Sequence, residues 1–149
     1  MRYKFRGISK HSGEWVFGNV LEGKKTFILT DKGAKDTIVS NHCAASSGFV
    51  EVLKSSVGMC SNVFDINSVE VCVGDYVKIK DCEEFIGVVM FGTYDMVGGL
   101  SGKSVGFYIE WFDSSGVFCK GRPNSLMAYE KFLVVSGNIY QNSCKILEE

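Results

Sequence analysis

Short runs of strand-forming residues, separated at close intervals by Gly, Asp, Asn and Ser, are the feature that most constrains the fold of this chain. Examples are Thr26–Thr30, Phe49–Leu53 and Phe85–Phe91. β-Branched and aromatic residues favour strands, whereas the separating residue types favour turns. Regularly spaced short strands are typical of antiparallel sandwiches and barrels. We therefore expect a mainly β protein, in which a strongly curved antiparallel sheet is partly closed into a barrel.

Turn residues place the connections between the predicted strands. The segment Lys10–Gly13 predicts a tight turn within an N-terminal hairpin of residues 3–21, and Asp113–Gly116 predicts a second hairpin loop. Between other strands, Asp65 or Asn67 is expected to accept hydrogen bonds from nearby backbone N–H groups, because short polar side chains stabilise turns in this way.

One short helix and one irregular loop complete the predicted architecture. The segment Ser125–Phe132 follows the only proline of the chain and has the composition of a two-turn helix. Asn124 or Ser125 is the expected N-cap. Residues 94–104 contain three glycines and predict a mobile surface loop.

Aromatic residues alternate along one of the predicted strands. Phe107, Ile109 and Trp111 share one face of this strand, while Tyr108 and Glu110 share the other. The aromatic face either packs in the core or forms a platform on which nucleobases stack. We predict a core position, because a stacking platform requires flanking basic residues and Glu110 is acidic.

Length and charge limit the classes of function. A chain of 149 residues suits a single domain, residues 1–149. Its 16 basic and 17 acidic residues give a formal net charge of −1, whereas domains that bind nucleic acid through phosphates are usually distinctly basic. No apolar run approaches the roughly 20 residues of a membrane-spanning helix, and the N-terminus does not resemble a signal peptide. We therefore expect a cytoplasmic protein that has no membrane partner.

The cysteines predict neither a disulfide framework nor a metal site. The chain contains no C-x-x-C pair, which removes the usual local signature of zinc and redox sites. Reduced, mostly buried thiols are expected in a cytoplasmic protein. The six residues concerned are Cys43, Cys60, Cys72, Cys82, Cys119 and Cys144.

Catalytic constellations are also absent from the sequence. The segment Gly98–Ser104 resembles a phosphate-binding loop, but Val97 stands where that loop requires glycine, and a strand follows instead of a helix. The two histidines, His11 and His42, lie in a predicted turn and a predicted loop. We therefore expect a protein that is not an enzyme and has no cofactor, although a site assembled from distant residues stays open.

A local basic patch lies near the N-terminus. Arg2, Lys4 and Arg6 alternate with other residues and therefore share one face of the first predicted strand. This face either discourages pairing at a sheet edge or contacts phosphates of a nucleic acid. We favour the first interpretation and keep the second as an alternative function.

Three blocks of the sequence resemble the YopX family of phage and prophage proteins. The first comprises Lys4-Phe-Arg-Gly7 and Ser12-Gly-Glu-Trp-Val-Phe-Gly18, the middle one comprises Ser56–Asn62, Asp65–Ser68 and Val71–Asp75, and the last comprises Val135–Asn142 and Ile146-Leu147. The resemblance spans nearly the whole chain. In the middle block the family pattern has glycine where this chain has Asn62 and Ser68, and Met59 also departs from the pattern.

The resemblance implies an SH3-like, partly open β-barrel and a phage- or prophage-derived protein that acts inside a bacterium. It implies no catalytic residue. Independently of the resemblance, Asp75 and Asn138 are expected to bond to local backbone groups. The two ends of the chain, residues 3–21 and 133–142, are expected to belong to the same β domain.

The predicted function is a non-enzymatic binding module for an unknown protein or nucleic acid, and a homo-oligomer is possible through sheet edges. The alternative is a nucleic-acid-binding regulator that uses the basic N-terminal face. The candidate binding residues are Arg2, Lys4, Arg6, Met59, Asn62, Asp75 and Lys103.

Overall fold

The computed structural model describes residues 4–30, 48–96, 102–120 and 124–140, and these residues are mainly in β-strands. Every strand pairing among them is antiparallel. The strands are β1 (Lys4–Ile8), β2 (Trp15–Glu22), β3 (Thr26–Thr30), β4 (Phe49–Val52), β5 (Gly58–Phe64), β6 (Glu70–Cys72), β7 (Asp75–Ile79), β8 (Cys82–Asp95), β9 (Lys103–Asp113) and β10 (Leu133–Asn138). The described residues form two compact units, one up to Cys60 and one from Ser61 onward.

The first unit is built on an antiparallel sheet whose strand order is β4-β3-β2-β1-β5. The predicted N-terminal hairpin is confirmed, because Arg6 pairs with Phe17 across β1 and β2. Its turn is held by Ser9, whose Oγ accepts hydrogen bonds from the backbone N–H groups of His11 and Ser12, each at 3.2 Å. The core of this unit contains Ile8, Ile28, Val52 and Leu53.

A buried serine joins the first strand to a short 3₁₀ helix, Lys54–Ser56. The Ser56 hydroxyl is fully buried; it donates to the Leu53 carbonyl at 2.6 Å and accepts from the Ile8 N–H at 2.7 Å. Both of its hydrogen-bonding roles are therefore satisfied inside the unit, as burial of a hydroxyl requires.

The second unit contains a four-stranded sheet of order β10-β7-β8-β9, together with β6 and the end of β5. Ser61 Oγ donates to the Val71 carbonyl at 2.6 Å, which joins β5 to β6. The core residues of this unit are Val71, Val77, Val89, Ile109, Trp111, Leu126 and Leu133. The prediction that Ile109 and Trp111 lie in the core is confirmed, since each is only 1% exposed.

Gly87 allows the core to close around Trp111. A methyl group at this position would lie 2.4 Å from Ile109 Cγ2, 2.9 Å from Val77 Cγ2 and 3.0 Å from Trp111 Cζ3. These distances are shorter than normal van der Waals contacts, so the core side chains occupy the space that a side chain on β8 would need. Tyr129 then packs against Trp111, with 5.1 Å between the ring centroids.

A single carboxylate organises the turn between β5 and β6. Asp65 Oδ1 accepts hydrogen bonds from the N–H groups of Asn67 at 2.8 Å and Val69 at 2.9 Å. Its other oxygen accepts from the Val135 N–H in β10 at 2.9 Å. The predicted role in the turn is confirmed for Asp65, and the contact with β10 adds a connection across 70 residues of chain.

The two other polar predictions for local backbone contacts are also confirmed. Asp75 is buried and its Oδ2 accepts from the Cys72 N–H at 2.8 Å. Asn138 Oδ1 accepts from the Tyr140 N–H at 3.0 Å. The strand that contains Asn138 pairs with β7 in the second unit, whereas the N-terminal hairpin lies in the first.

The predicted helix over Ser125–Phe132 is wrong in length and type. Only Leu126–Tyr129 is helical, and it forms a 3₁₀ helix. Ser125 is extended and makes no side-chain cap, because it forms an isolated β-bridge with Tyr108. The strand pairing of Ser125 and the start of β10 at Leu133 leave too little chain for a second helical turn.

The predicted loop over residues 94–104 is largely strand in its described part. β8 continues to Asp95 and β9 begins at Lys103, and these two residues pair with each other. Residues 97–101 lie outside the described residues. The pairing of β8 with β9 continues past Gly92 and Gly106, which face each other across the ladder.

Strand β5 was not predicted. It runs through Gly58, Met59 and Cys60, then Ser61 and Asn62, before it reaches two strand-forming residues. Its formation depends on pairing with β1, where Phe5 lies opposite Met59. Pairing in the folded protein therefore outweighs the weak local preference of this segment.

The prediction that all cysteines are reduced is wrong for two of the four described cysteines, while Cys43 and Cys144 lie outside the described residues. Cys60 and Cys72 are both disulfide-bonded. Cys82 and Cys119 are free and half-buried. Among the described residues, no helix combines the length and the apolar character needed to span a bilayer.

We expect Gly87→Ala to destabilise the protein by about 1–3 kcal/mol, because the added methyl group overpacks a filled core. The measurement is urea unfolding followed by far-UV circular dichroism. The control is Gly23→Ala in an exposed turn, where the added methyl group would lie 3.6 Å from its nearest neighbour, the Lys25 carbonyl oxygen. We expect the control to change the free energy of unfolding by less than about 0.5 kcal/mol. Equal unfolding midpoints for the two variants would contradict the role assigned to Gly87.

We expect Ser68→Gly to stabilise the protein by about 0.5–1 kcal/mol. Ser68 has φ = 63°, where a side chain costs roughly 1–2 kcal/mol, and part of this gain is offset by the greater entropy of glycine in the unfolded chain. The control is Asn67→Gly in the same turn, which lacks a positive φ and is expected to lower stability. Unfolding in urea measures both changes, and a loss of stability in Ser68→Gly would refute the prediction.

Candidate functional site

The basic residues predicted on the N-terminal strand make contacts within the first unit. Arg6 is only 6% exposed, and its guanidinium carbon lies 4.2 Å from the ring centroid of Trp15. The ammonium group of Lys4 lies 4.8 Å from the ring centroid of Phe17. Arg2 lies outside the described residues. At least Arg6 is therefore not exposed as a solvated cation that an incoming phosphate could reach.

The remaining predicted site residues do not converge. Met59 is half-buried in β5, and Asn62 is exposed further along the same strand. Asp75 is buried and contacts backbone, so its contacts are structural. Lys103 is exposed at the start of β9, opposite Asp95. Of these positions, only Lys103 lies next to a cleft beside β9, because its strand partner Asp95 lines that cleft.

A cleft of about 490 Å³ lies beside β9 in the second unit. It is formed by the end of β8, the middle of β9 and the chain that follows β9. The residues lining it are Thr93, Tyr94, Asp95, Tyr108, Ile109, Glu110, Trp111, Phe118, Cys119, Lys120 and Asn124. Concave surfaces of this size with aromatic walls and a few polar groups are typical of binding sites.

The chain that follows β9 turns back along the free edge of that strand and forms one wall of the cleft. Asp113 holds this turn, since its Oδ1 accepts hydrogen bonds from the N–H groups of Ser115 and Val117, each at 2.9 Å. Farther on, the Cys119 N–H donates to the Trp111 carbonyl at 2.8 Å. The predicted hairpin loop is thus confirmed, and the chain that returns from it forms an isolated β-bridge between Phe118 and Phe112 of β9.

A second backbone contact returns the chain to β9 after the described residues resume at Asn124. The Ile109 N–H donates to the Asn124 carbonyl at 2.7 Å. The side-chain amide of Asn124 donates to the Asp95 carbonyl at 3.1 Å, which connects this segment to the end of β8. These contacts fix the wall of the cleft on both sides of Glu110.

Two stacked tyrosines form the main aromatic surface of the cleft. The rings of Tyr94 and Tyr108 are 5.2 Å apart between centroids, with an angle of 28° between their planes. Both lie on the outer face of the β8–β9 ladder. Met90 pairs with Tyr108, and Tyr94 lies four positions after Met90 in β8, so its side chain is on the same face. The stacking holds two otherwise flexible rings in place.

Glu110 is the neighbour of Tyr108 on the same face of β9. Burial, and secondarily the negative charge of Glu110, raise the pKa of the Tyr108 hydroxyl above its ordinary value. Within the described residues, Glu110 has no salt-bridge partner. The cleft therefore contains a half-buried carboxylate that forms no ion pair with any cation among the described residues.

The other charged residues that line the cleft are Asp95 and Lys120. Lys120 is exposed and makes no salt bridge within the part of the chain that the structure describes. The described lining residues comprise two acidic residues and one basic residue, which together carry a net charge of −1. The free thiol of Cys119 also lines the cleft, and the described part of the lining has no histidine.

The sequence identified only part of this cleft. It placed Tyr108 and Glu110 together on the face opposite to the core, which is confirmed. It missed Tyr94, because the glycines that follow predicted a loop there, and it missed Lys120 and Asn124, whose positions depend on contacts with the edge of β9. The alternation of aromatic and acidic residues in β9 was the one available signal.

Comparisons of the chain with protein-family models, curated proteins and solved structures found no match. The geometry of the cleft is therefore the basis for a functional assignment.

We expect the Tyr108 hydroxyl to ionise above the usual pH range of tyrosine, since its pKa is raised. Glu110→Gln should lower this pKa only in part, because burial is the larger cause and remains in the variant. The measurement is an ultraviolet absorbance titration, in which the contribution of Tyr108 is the difference between wild type and Tyr108→Phe. A pKa that is unchanged in Glu110→Gln would show that the carboxylate does not act on this ring.

Proposed function

We propose that this protein is a non-enzymatic binding module that engages a host or phage macromolecule through the cleft beside β9. The observation that carries the proposal is the convergence of two stacked tyrosines and a carboxylate in one concave surface. The carboxylate belongs to Glu110, which has no salt-bridge partner among the described residues. Aromatic side chains supply contact area at a small entropic cost, and a fixed charge gives the contact its specificity.

The chemistry of the lining supports binding rather than catalysis. General acid–base catalysis uses a group whose pKa lies near the working pH, most often histidine, and none of the described lining residues is a histidine. A nucleophilic thiol requires a neighbouring base or cation that stabilises the thiolate. Among the described residues, the Cys119 thiol makes one hydrogen bond, which it donates to the Val117 carbonyl at 3.7 Å.

A YopX-like origin in a phage or prophage, with an SH3-like barrel character, remains part of this proposal. Its support is conformational. Asn62 and Ser68 stand where the family pattern has glycine, and they have φ = 60° and φ = 63°. These are backbone conformations that glycine adopts most easily. A cytoplasmic location also remains a proposal, and the disulfide-bonded Cys60 and Cys72 are more typical of oxidising compartments.

The nucleic-acid alternative is not favoured by any contact on the basic N-terminal face. Arg6 is buried against Trp15, and Lys4 lies over Phe17. The cleft in the second unit has a net negative lining, which opposes a phosphate backbone. A protein partner therefore fits the charge of the cleft better than a nucleic acid does.

Affinity capture with a matched variant tests the proposal. Tagged wild type and Tyr94→Ala/Tyr108→Ala are incubated with bacterial lysate, and bound protein and nucleic acid are both identified. We expect a partner that wild type retains and the double variant loses by at least tenfold, because the variant removes the aromatic wall of the cleft. The control variant is Phe17→Ala, which removes an exposed aromatic side chain from the first unit.

Retention of the same partner by wild type and the double variant would contradict a binding role of the cleft. Loss of the partner in Phe17→Ala alone, together with strong salt dependence, would favour the nucleic-acid alternative. Circular dichroism of each variant confirms that a loss of binding does not reflect unfolding.

A further inference from the structure

We propose that the cleft beside β9 binds the guanidinium group of an arginine side chain that projects from a partner protein. This inference rests on the proposed function and names the chemical group that the cleft recognises. In this arrangement the planar guanidinium stacks on the exposed side of the tyrosine pair, and its N–H groups donate to the Glu110 carboxylate.

The spacing of Tyr108 and Glu110 fits this group. Successive residues on one face of a strand are about 6.6–6.8 Å apart. A cation over an aromatic ring lies within about 6 Å of the ring centroid, and a guanidinium presents several N–H donors in one plane. A guanidinium stacked on Tyr108 can therefore extend its donors toward the carboxylate of Glu110.

The electrostatics of the lining favour a cation at this position. Glu110 has no salt-bridge partner within the described residues, although it is half-buried. Asp95 adds a second negative charge to the lining, and Lys120 opposes them with one positive charge. The pKa of Tyr108 is raised mainly by burial and, to a smaller extent, by the negative charge of Glu110. A carboxylate that accepts from a charged donor forms the stronger class of hydrogen bond.

The first unit shows the same pairing of groups within this protein. There the Arg6 guanidinium carbon lies 4.2 Å from the ring centroid of Trp15 on the adjacent strand. Arginine is well suited to such sites because it is weakly hydrated and stacks on aromatic faces. In the cleft, the aromatic surface and the carboxylate are both present, and the cation is to come from the partner.

Phosphate-bearing and acidic ligands fit the cleft less well. Lys120 is the one positively charged residue among the described lining residues, and it lies with two acidic residues. An uncharged planar ligand could stack on the tyrosines, but it would leave the charge of Glu110 without a partner. These alternatives differ in how binding depends on the charge of the ligand, so probes of different charge distinguish them.

The test is a titration of ¹⁵N-labelled full-length protein, observed by amide chemical shifts, with three small probes. The probes are acetyl-arginine methylamide, the uncharged citrulline analogue of the same shape, and adenosine monophosphate. We expect shifts at Tyr94, Tyr108 and Glu110 with the arginine probe. The citrulline analogue should bind about 10-fold more weakly, which corresponds to a loss of about 1.4 kcal/mol.

Three variants then separate charge from shape. Glu110→Gln should weaken binding of the arginine probe by about 5- to 10-fold, because it keeps the side-chain shape and removes the charge. Lys120→Gln should strengthen binding of the same probe, since it removes the one like charge in the lining. Glu84→Gln changes an exposed acidic residue of β8 that does not line the cleft, and it should have no effect.

Equal binding of the arginine and citrulline probes, or an unchanged affinity in Glu110→Gln, would overturn the inference. Tighter binding of adenosine monophosphate would overturn it in favour of a nucleotide. If none of the probes shifts the cleft residues, the inference is also wrong. A macromolecular partner that still depends on the two tyrosines would then keep the proposed function while its recognition of arginine is rejected.

Discussion

The register of β9 is the constraint on which the second unit depends. Residues on a strand alternate between faces, so packing Ile109 and Trp111 against Gly87 forces Tyr108 and Glu110 to the opposite face. A shift of one residue would place a carboxylate in the core, which is strongly unfavourable. The same contacts that exclude water from the core therefore position the groups that line the cleft.

The two units differ in what packs against their aromatic side chains. In the first unit the cation comes from the chain itself, and Arg6 is buried against Trp15. In the second unit, the tyrosines pair with each other and Glu110 is not neutralised by the described residues. The first arrangement stabilises a sheet. In the second, the negative charge of Glu110 is available to a cation from a partner. This contrast, rather than the presence of aromatic residues, is the basis on which we propose the cleft as a binding surface.

The sequence was informative wherever local chemistry determines structure. Alternation identified the two faces of β9, and turn residues placed the N-terminal hairpin and the loop after Asp113. It failed where pairing between distant segments decides the outcome. β5 has few strand-forming residues and depends on β1, and the expected helix after Asn124 is shortened because Ser125 pairs with β9. The cleft was predicted only in part from the sequence for the same reason, since its outer wall depends on contacts with the edge of β9.

The hydrogen bond between Asp65 and Val135 has a consequence for the order of folding. The turn that contains Asp65 can form as soon as Val69 is available, because two of the three backbone N–H groups that donate to the Asp65 carboxylate are local. The third waits for a residue 70 positions later in the chain. Contacts of such sequence separation form slowly, since a long loop must close before they contribute. During synthesis from the N-terminus, the carboxylate is therefore expected to stay partly hydrated until β10 arrives, and its last bond marks completion of the second unit.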